Sequence, residues 1–152
     1  MVWDFVFGFT NMIAIAGWIA LALLPRWPTV LSLVLYASVG LLCLTYGFLF
    51  VTLVGNLIDS GRMAGVGGPG SFPSIESIRA LFMSDGGIVI GWTHYLAFDL
   101  FVGLWISRDA DHKGFSRIVQ IPFLVATLIA GPIGLGSWLI VREARARRLA
   151  KR

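Results

Sequence analysis

The chain has 152 residues, 57% hydrophobic and only 13% charged, against about 45–50% apolar and about 25% charged in soluble domains. That leaves too little polar surface to coat a soluble globule, and it points to one integral membrane domain. A single cysteine, Cys43, excludes an intrachain disulfide or a redox pair. The net charge of +4 comes with half of the twelve Lys and Arg residues in Arg142–Arg152, which suits an anionic lipid surface or a plain positive-inside anchor, not nucleic acid.

In chain order, residues 2–24 form the first expected span, since about 20 apolar residues cross a bilayer core. Asp4, Asn11 and Trp18 recur at seven-residue intervals and should form one stripe facing protein. Pro25-Arg26-Trp27-Pro28 is a tight turn with an interfacial Trp, so the second span, residues 29–55, is an antiparallel neighbour. Gly40 and Gly47 share a face of it and are expected to let helices approach closely. Residues 56–85 form a long connection. Gly61 to Gly70 are too rich in Gly for regular structure and read as a linker, with a lid as the alternative. A short interfacial helix follows Pro73, with Ser74 as cap and Ile75, Ile78, Leu81 and Phe82 at helical period. The third span is expected over residues 87–107, a charged loop over 108–117 and the fourth span over 118–141. Pro132, flanked by Gly131 and Gly134, breaks the fourth and frees the carbonyl of Leu128. The fold class is therefore all-α, an integral membrane four-helix bundle over residues 1–152 with a basic tail at 142–152. An even number of spans puts both termini on one side, and the tail makes that side cytoplasmic. Asp4 and the lack of a basic or Arg- and Ser-rich leader point to a bacterial inner membrane.

The third span carries His94, Tyr95 and Asp99 at bilayer depth, where an ionisable group costs roughly 2.5–3.5 kcal/mol on insertion scales. Such groups mark functional sites by default. Trp92, Tyr95, Asp99 and Gly103 form one stripe; His94, Phe98, Phe101 and Trp105 form an aromatic stripe beside it. His94 and Asp99 lie about 140° apart round the helix, whereas Tyr95 and Asp99 are neighbours at i and i+4. Helix rise sets Asn11, Thr45, Tyr46 and Pro132 at a comparable depth, so all four spans converge on one slab. An Asp there would suit proton exchange near neutral pH. The plainer alternative is that Asp99 accepts hydrogen bonds from Tyr95 or Asn11 and holds the bundle together. His94 and His112 cannot build a closed zinc site or a bis-His haem, so no metal and no cofactor is expected. The Arg108-Asp109-Ala110-Asp111 run reads as an interfacial ion-paired cap, or as a grip on the polar end of a long lipid.

Gly91-Trp92-Thr93-His94-Tyr95-Leu96-Ala97-Phe98-Asp99-Leu100 through Arg108-Asp109-Ala110, and Pro122-Phe123-Leu124 through Thr127-Leu128 to Gly131-Pro132-Ile133-Gly134-Leu135, resemble the two motifs of a small four-helix membrane family. That family is named for the abscisic-acid-deficient plant mutant impaired in neoxanthin synthesis, and the resemblance covers nearly the whole chain. It implies a role in carotenoid metabolism; in plants, violaxanthin, an epoxide, becomes allenic neoxanthin. This needs acid-assisted epoxide opening and loss of a polyene proton, without redox change. The expected acid-base residues are His94, Asp99 and Tyr95; Asn11, Trp92, Phe98, Arg108, Asp109, Thr127 and Pro132 are expected to line the ligand site. Partners would be a carotenoid or other long isoprenoid and membrane lipids, with a homo-oligomer compatible with so short a chain. The rival reading is a non-enzymatic pigment- or lipid-binding assembly factor; a transporter fits less well, because no internal repeat is visible.

Overall fold

The computed structural model describes residues 2–55, 57–59, 61 and 74–149, with side chains at all of these except 54, 144–146, 148 and 149. The described residues form helices and no strand. Helix α1 is Val2–Leu23, α2 is Pro28–Leu33, α4 is Ile75–Phe82, α5 is Asp85–His112, α6 is Arg117–Ile129 and α7 is Gly131–Leu149. Helix α3, Leu41–Val54, continues α2 through a π-helical stretch at Val34–Gly40. Three rods, Val2–Leu23, Pro28–Leu53 and Asp85–His112, are long and apolar enough to cross a bilayer.

Helix α5 is the central element, with 56% of its most apolar window buried against 28% in each of the other two rods. Its start is set by Ser84, whose side chain accepts from the Gly87 amide at 3.1 Å, and by Asp85 in the first turn. Its end is set by Gly114 at φ 67°, a left-handed residue that stops the helix. The short helix after the long connection forms as expected: Ser74 accepts from the Ser77 amide at 3.2 Å. The Gly-rich run from Gly65 to Gly70 lies outside the described residues.

Close backbone approach comes from glycines other than those expected. A methyl at Gly17 would meet Leu100 Cδ2 at 2.6 Å and Ser38 Cβ at 2.9 Å, so α1, the π-helical stretch and α5 meet there. One at Gly103 would meet the Trp18 ring at 2.5 Å. The packing role expected of Gly40 and Gly47 does not hold: nothing lies within 4 Å of a Cβ at Gly47, and at Gly40 the only neighbour is its own helix's Leu35 carbonyl. Glycine spacing alone does not say which face meets a partner. Of the expected stripe on α1, Trp18 is buried and Asn11 half-buried, but Asp4 is exposed.

Pairings give the helix directions. Trp3 lies against Gly86, Phe7 against Trp92 and Trp18 against Gly103, so α1 and α5 run parallel. Tyr46 against His94 and Leu53 against Gly86 make α3 antiparallel to α5. Tyr95 against Ile129 and Asp111 against Gln120 make α6 antiparallel to α5. Helix α7 then reverses. Gly134 packs on Thr127 and Trp138 on Phe123, an antiparallel pairing with α6; Asp99 lies against Gly131 and Trp105 against Arg142, a parallel pairing with α5.

The expected fourth span over 118–141 is thus a helical hairpin. Ala130, at φ −154° and ψ 83°, leaves helical geometry, and the chain folds back on itself instead of kinking onward. The break was foreseen from Pro132, but not its angle. The start of α1 and the end of α7 therefore lie at opposite ends of the rods, unlike the expectation that an even number of crossings brings the termini together.

The expected charged loop over 108–117 shrinks to four residues, because α5 continues through Asp109–His112. Helical spacing gives Asp109 a partner in Lys113 at 2.5 Å, and its remaining capacity meets Trp138 Nε1 at 3.0 Å and Arg142 Nε at 2.8 Å. Asp111 pairs with Arg26 at 2.9 Å and accepts from Gln120 at 2.9 Å. Arg26 also donates to Gln120 and, at 3.1 Å, to the Ser107 carbonyl; Arg117 donates to the Leu24 carbonyl. These contacts lock the turn after α1 to the base of the hairpin.

Candidate functional site at the helix break

Reversing a helix in an apolar layer leaves terminal carbonyls and amides without partners, and each must be satisfied by protein. Helix α5 supplies two side chains, one turn apart, that serve the two ends. Tyr95 Oη donates to the Ile129 carbonyl at 2.7 Å, closing the end of α6. Asp99 faces the Gly131 amide at the start of α7, where the helix dipole favours negative charge, and has the Tyr95 hydroxyl as its other polar neighbour. Position 131 must be glycine: a Cβ there would overlap the Asp99 carboxyl, with Cγ at 2.7 Å. Pro132 occupies the second residue of α7, where its missing N–H costs nothing.

Asp99 is 7% exposed, yet its Oδ2 has no hydrogen-bond partner. A buried acceptor left unmade costs about 1–3 kcal/mol. The carboxyl thus holds the hairpin tip through the Gly131 amide, while Oδ2 stays buried without a partner.

The hairpin falls short of a full crossing, reaching about two-thirds of the way. Thirteen residues of α6 rise about 20 Å, against a hydrocarbon core about 30 Å thick. Asp99 stands near the middle of α5, so the hairpin covers that face of α5 only from Asp99 onward. On the uncovered part the same stripe continues through Tyr95, Trp92 and Ile88. Trp92 is 38% and Ile88 46% exposed. Trp92 stacks on Tyr95 with centroids 5.3 Å apart, contacts Phe7 at 5.9 Å and donates from Nε1 to Asn11 Oδ1 at 3.2 Å. Asn11 Nδ2 donates to the Phe7 carbonyl at 2.7 Å, which fixes the amide's orientation. Phe82 of α4 covers Gly91 beside this stripe. The result is a partly exposed row of aromatic side chains, Phe7, Trp92 and Tyr95, that leads along α5 to Asp99.

Of the residues expected in the site, Asp99, Tyr95, Trp92, Asn11 and Pro132 come together. His94 does not. It is exposed on another face, stacked on Phe98 at 4.5 Å and against Tyr46 at 5.4 Å. Helix α3 shares the expected depth, since Tyr46 meets His94, but it packs on another face of α5, and Thr45 Oγ1 donates to the Leu41 carbonyl of its own helix, so α3 adds nothing beside Asp99. Thr127 is buried, bonded to the Phe123 carbonyl at 2.7 Å and packed on Gly134, so it is structural. Asp109 spends both oxygens on Lys113, Arg142 and Trp138, so its expected grip on a ligand has no free acceptor. Arg108 is exposed at that same end, about 14 Å along α5 from Asp99.

Sequence reasoning missed Gly131 as a contact of Asp99, and missed Gln120 and Trp138, both fully buried. Gln120, a lone amide in an apolar helix, carried a usable signal; Trp138 looked like any interfacial Trp. Among the described residues no cluster of three or more His, Cys, Asp or Glu is placed to hold a metal.

Residues 5–138 match the family described as ABA4-like, ABA DEFICIENT 4-like. No curated protein and no solved structure matches the chain. With apolar rods able to cross a bilayer and a family match over most of its length, the chain belongs to the ABA4-like family of neoxanthin-related membrane proteins.

Proposed function

We propose that this protein is an isomerase-type carotenoid enzyme of the bacterial cytoplasmic membrane, acting on a polyene whose oxygenated end sits at Asp99. The observation that carries the reading is the buried Asp99 Oδ2, without a hydrogen-bond partner, at the end of the aromatic row of Phe7, Trp92 and Tyr95. In epoxide opening, a proton passes to the epoxide oxygen, the bond from that oxygen to the chain-side carbon breaks, and the neighbouring vinylic proton leaves to form the allene. One proton enters and one departs, so no redox partner is required. The Asp99 carboxyl, with the Tyr95 hydroxyl beside it, is built for such exchange. Trp92 and Phe7 would flank the polyene chain along this row. His94 faces elsewhere and has no part in this pair.

The test is pigment conversion in carotenoid-producing cells, read by chromatography of extracts. Asp99→Asn should insert normally, because an amide oxygen still accepts from the Gly131 amide, yet lose conversion by about 10²-fold or more. Full conversion by folded Asp99→Asn would refute the acid-base reading.

A second reading has its own observation: Asp99 also caps α7. If that is its whole purpose, the protein binds pigment without turnover. Pigment would then co-purify unchanged with both the wild type and Asp99→Asn.

A further inference from the structure

The hairpin has a consequence for how the protein sits in its membrane. We propose that the chain crosses the bilayer three times, that α6–α7 is a re-entrant hairpin entering and leaving on the cytoplasmic face, and that the exposed aromatic row beside Asp99 faces lipid of the opposite leaflet.

Helix α7 runs parallel to α5, so the chain after Arg142 leaves at the end that also holds Arg26, Asp111 and Arg117. Ten of the twelve Lys and Arg residues belong to segments at that end or to the tail that follows: Arg26, Arg108, Lys113, Arg117, Arg142 and the five basic residues after it. The other end has Arg62 and Arg79 in its connection, set against Asp4, Asp59, Glu76 and Asp85. Basic loops stay on the cytoplasmic side. Four crossings would divide these charges, placing the tail with Arg62 and Arg79 and leaving Arg26, Arg108, Lys113 and Arg117 opposite. Three crossings gather them on one face.

The break in α6–α7 fits this path. An unwound turn at mid-depth is tolerated where protein satisfies it, and here Tyr95 and Asp99 do so. The hairpin fills the cytoplasmic part of that face of α5. The rest, with Ile88 and Trp92, is bare to lipid of the non-cytoplasmic leaflet. An elongated apolar molecule dissolved in that leaflet can slide its polar end to Asp99 without passing through water. This last step rests on the pigment reading above; the topology does not.

Both parts are tested on the full-length protein in a bacterial host. With Cys43→Ser as background, single cysteines are introduced as Trp27→Cys, Glu76→Cys and Arg147→Cys, all at exposed positions. A membrane-impermeant maleimide should label Glu76→Cys in intact cells, and the other two only after permeabilisation. If Arg147→Cys follows Glu76→Cys, the hairpin topology is wrong. If Trp27→Cys and Arg147→Cys both label in intact cells, the assigned side is wrong. A reporter fused after Arg152 reads the side of the tail independently, should any cysteine variant insert poorly. For the aromatic row, Ile88→Trp should lower co-purifying pigment several-fold with the labelling pattern intact, and unchanged pigment would overturn its part in the proposal. Opposed termini with no pigment bound by the wild type would defeat the pigment reading while leaving the topology standing.

Discussion

Asp99 and Asp109 stand on the same helix, ten residues apart, and both touch α7, yet they are treated in opposite ways. Asp109 is the hub of an ion-paired cluster, with two cations and an indole on its two oxygens. Asp99 has a backbone amide, a tyrosine hydroxyl and one oxygen with nothing. The first is what a carboxylate looks like when it fastens elements together near an interface. The second is what it looks like when geometry is held by a minimum of contacts and a place is kept for something else. A chain bears the cost of an unmet buried oxygen where it serves binding or chemistry.

The sharpest way to break this comparison is to remove each carboxyl in turn and read stability. Asp109→Ala would remove the carboxylate shared by Lys113, Arg142 and Trp138, and breaking a buried pair by removing one partner costs about 3–5 kcal/mol. Arg142 is a quarter exposed, which brings the expectation to the lower end of that range. Asp99→Asn, by contrast, should shift unfolding by no more than about 1 kcal/mol, because few of its bonds are there to lose. Unfolding in mild detergent measures both; equal losses would mean that Asp99 is as structural as Asp109.

Gly131→Ala is the next test. The new methyl would overlap the Asp99 carboxyl, and the hairpin tip must retreat or the carboxyl must turn. Overpacking of this kind costs about 1–3 kcal/mol. Pigment conversion should fall more than stability does, because the displaced group is the one proposed to carry the proton. Gly136→Ala, where a Cβ would meet nothing within 4 Å, is the matched control and should change neither.

These two residues also mark how far the sequence could be read. The membrane class, the long apolar rods, the capped short helix and a break near Pro132 were all legible, because each is written in local composition and spacing. Asp99 and Tyr95 as partners were legible too, since i and i+4 fix that geometry on any helix. What could not be read was the direction taken after the break. A proline between glycines permits a kink, an unwound turn or a full reversal. The choice is made by contacts distant in sequence: Trp138 against Phe123 and Phe115, Arg142 against Asp109. The orientation expected from the sequence depends on an even span count, which the three-crossing path proposed above would change. His94 shows the same limit: helical period gives its place on α5, but not that Tyr46 and Phe98 lie beside its ring.

Tyr95→Phe tests the other side of the hairpin tip with a smaller effect. It leaves the ring stacked on Trp92 and removes only the hydroxyl that closes α6 at Ile129. Interhelical hydrogen bonds in membranes average about 0.6 kcal/mol, so the melting shift should be slight. If Tyr95 also takes part in proton exchange at Asp99, conversion should fall well beyond what that shift explains. A fall matched by stability alone would reduce Tyr95 to a cap.

The smallest effect is expected at Glu143, past the ion-paired cluster on α7. Arg147, one turn on, bonds it at 2.9 Å and holds its carboxyl below the usual Glu range, with Arg142 adding to the pull. A lowered folded-state value means that the pair's stabilisation is present above the unfolded Glu value and disappears as pH falls through the folded one. Both side chains are largely exposed, so solvent and salt screen the pair. Glu143→Gln should therefore leave the melting temperature unchanged at neutral pH and moderate salt. A clear drop would show that the charge at this end is organised as one network running from Asp109 into the tail, and the contrast with Asp99 would then extend to the whole basic face.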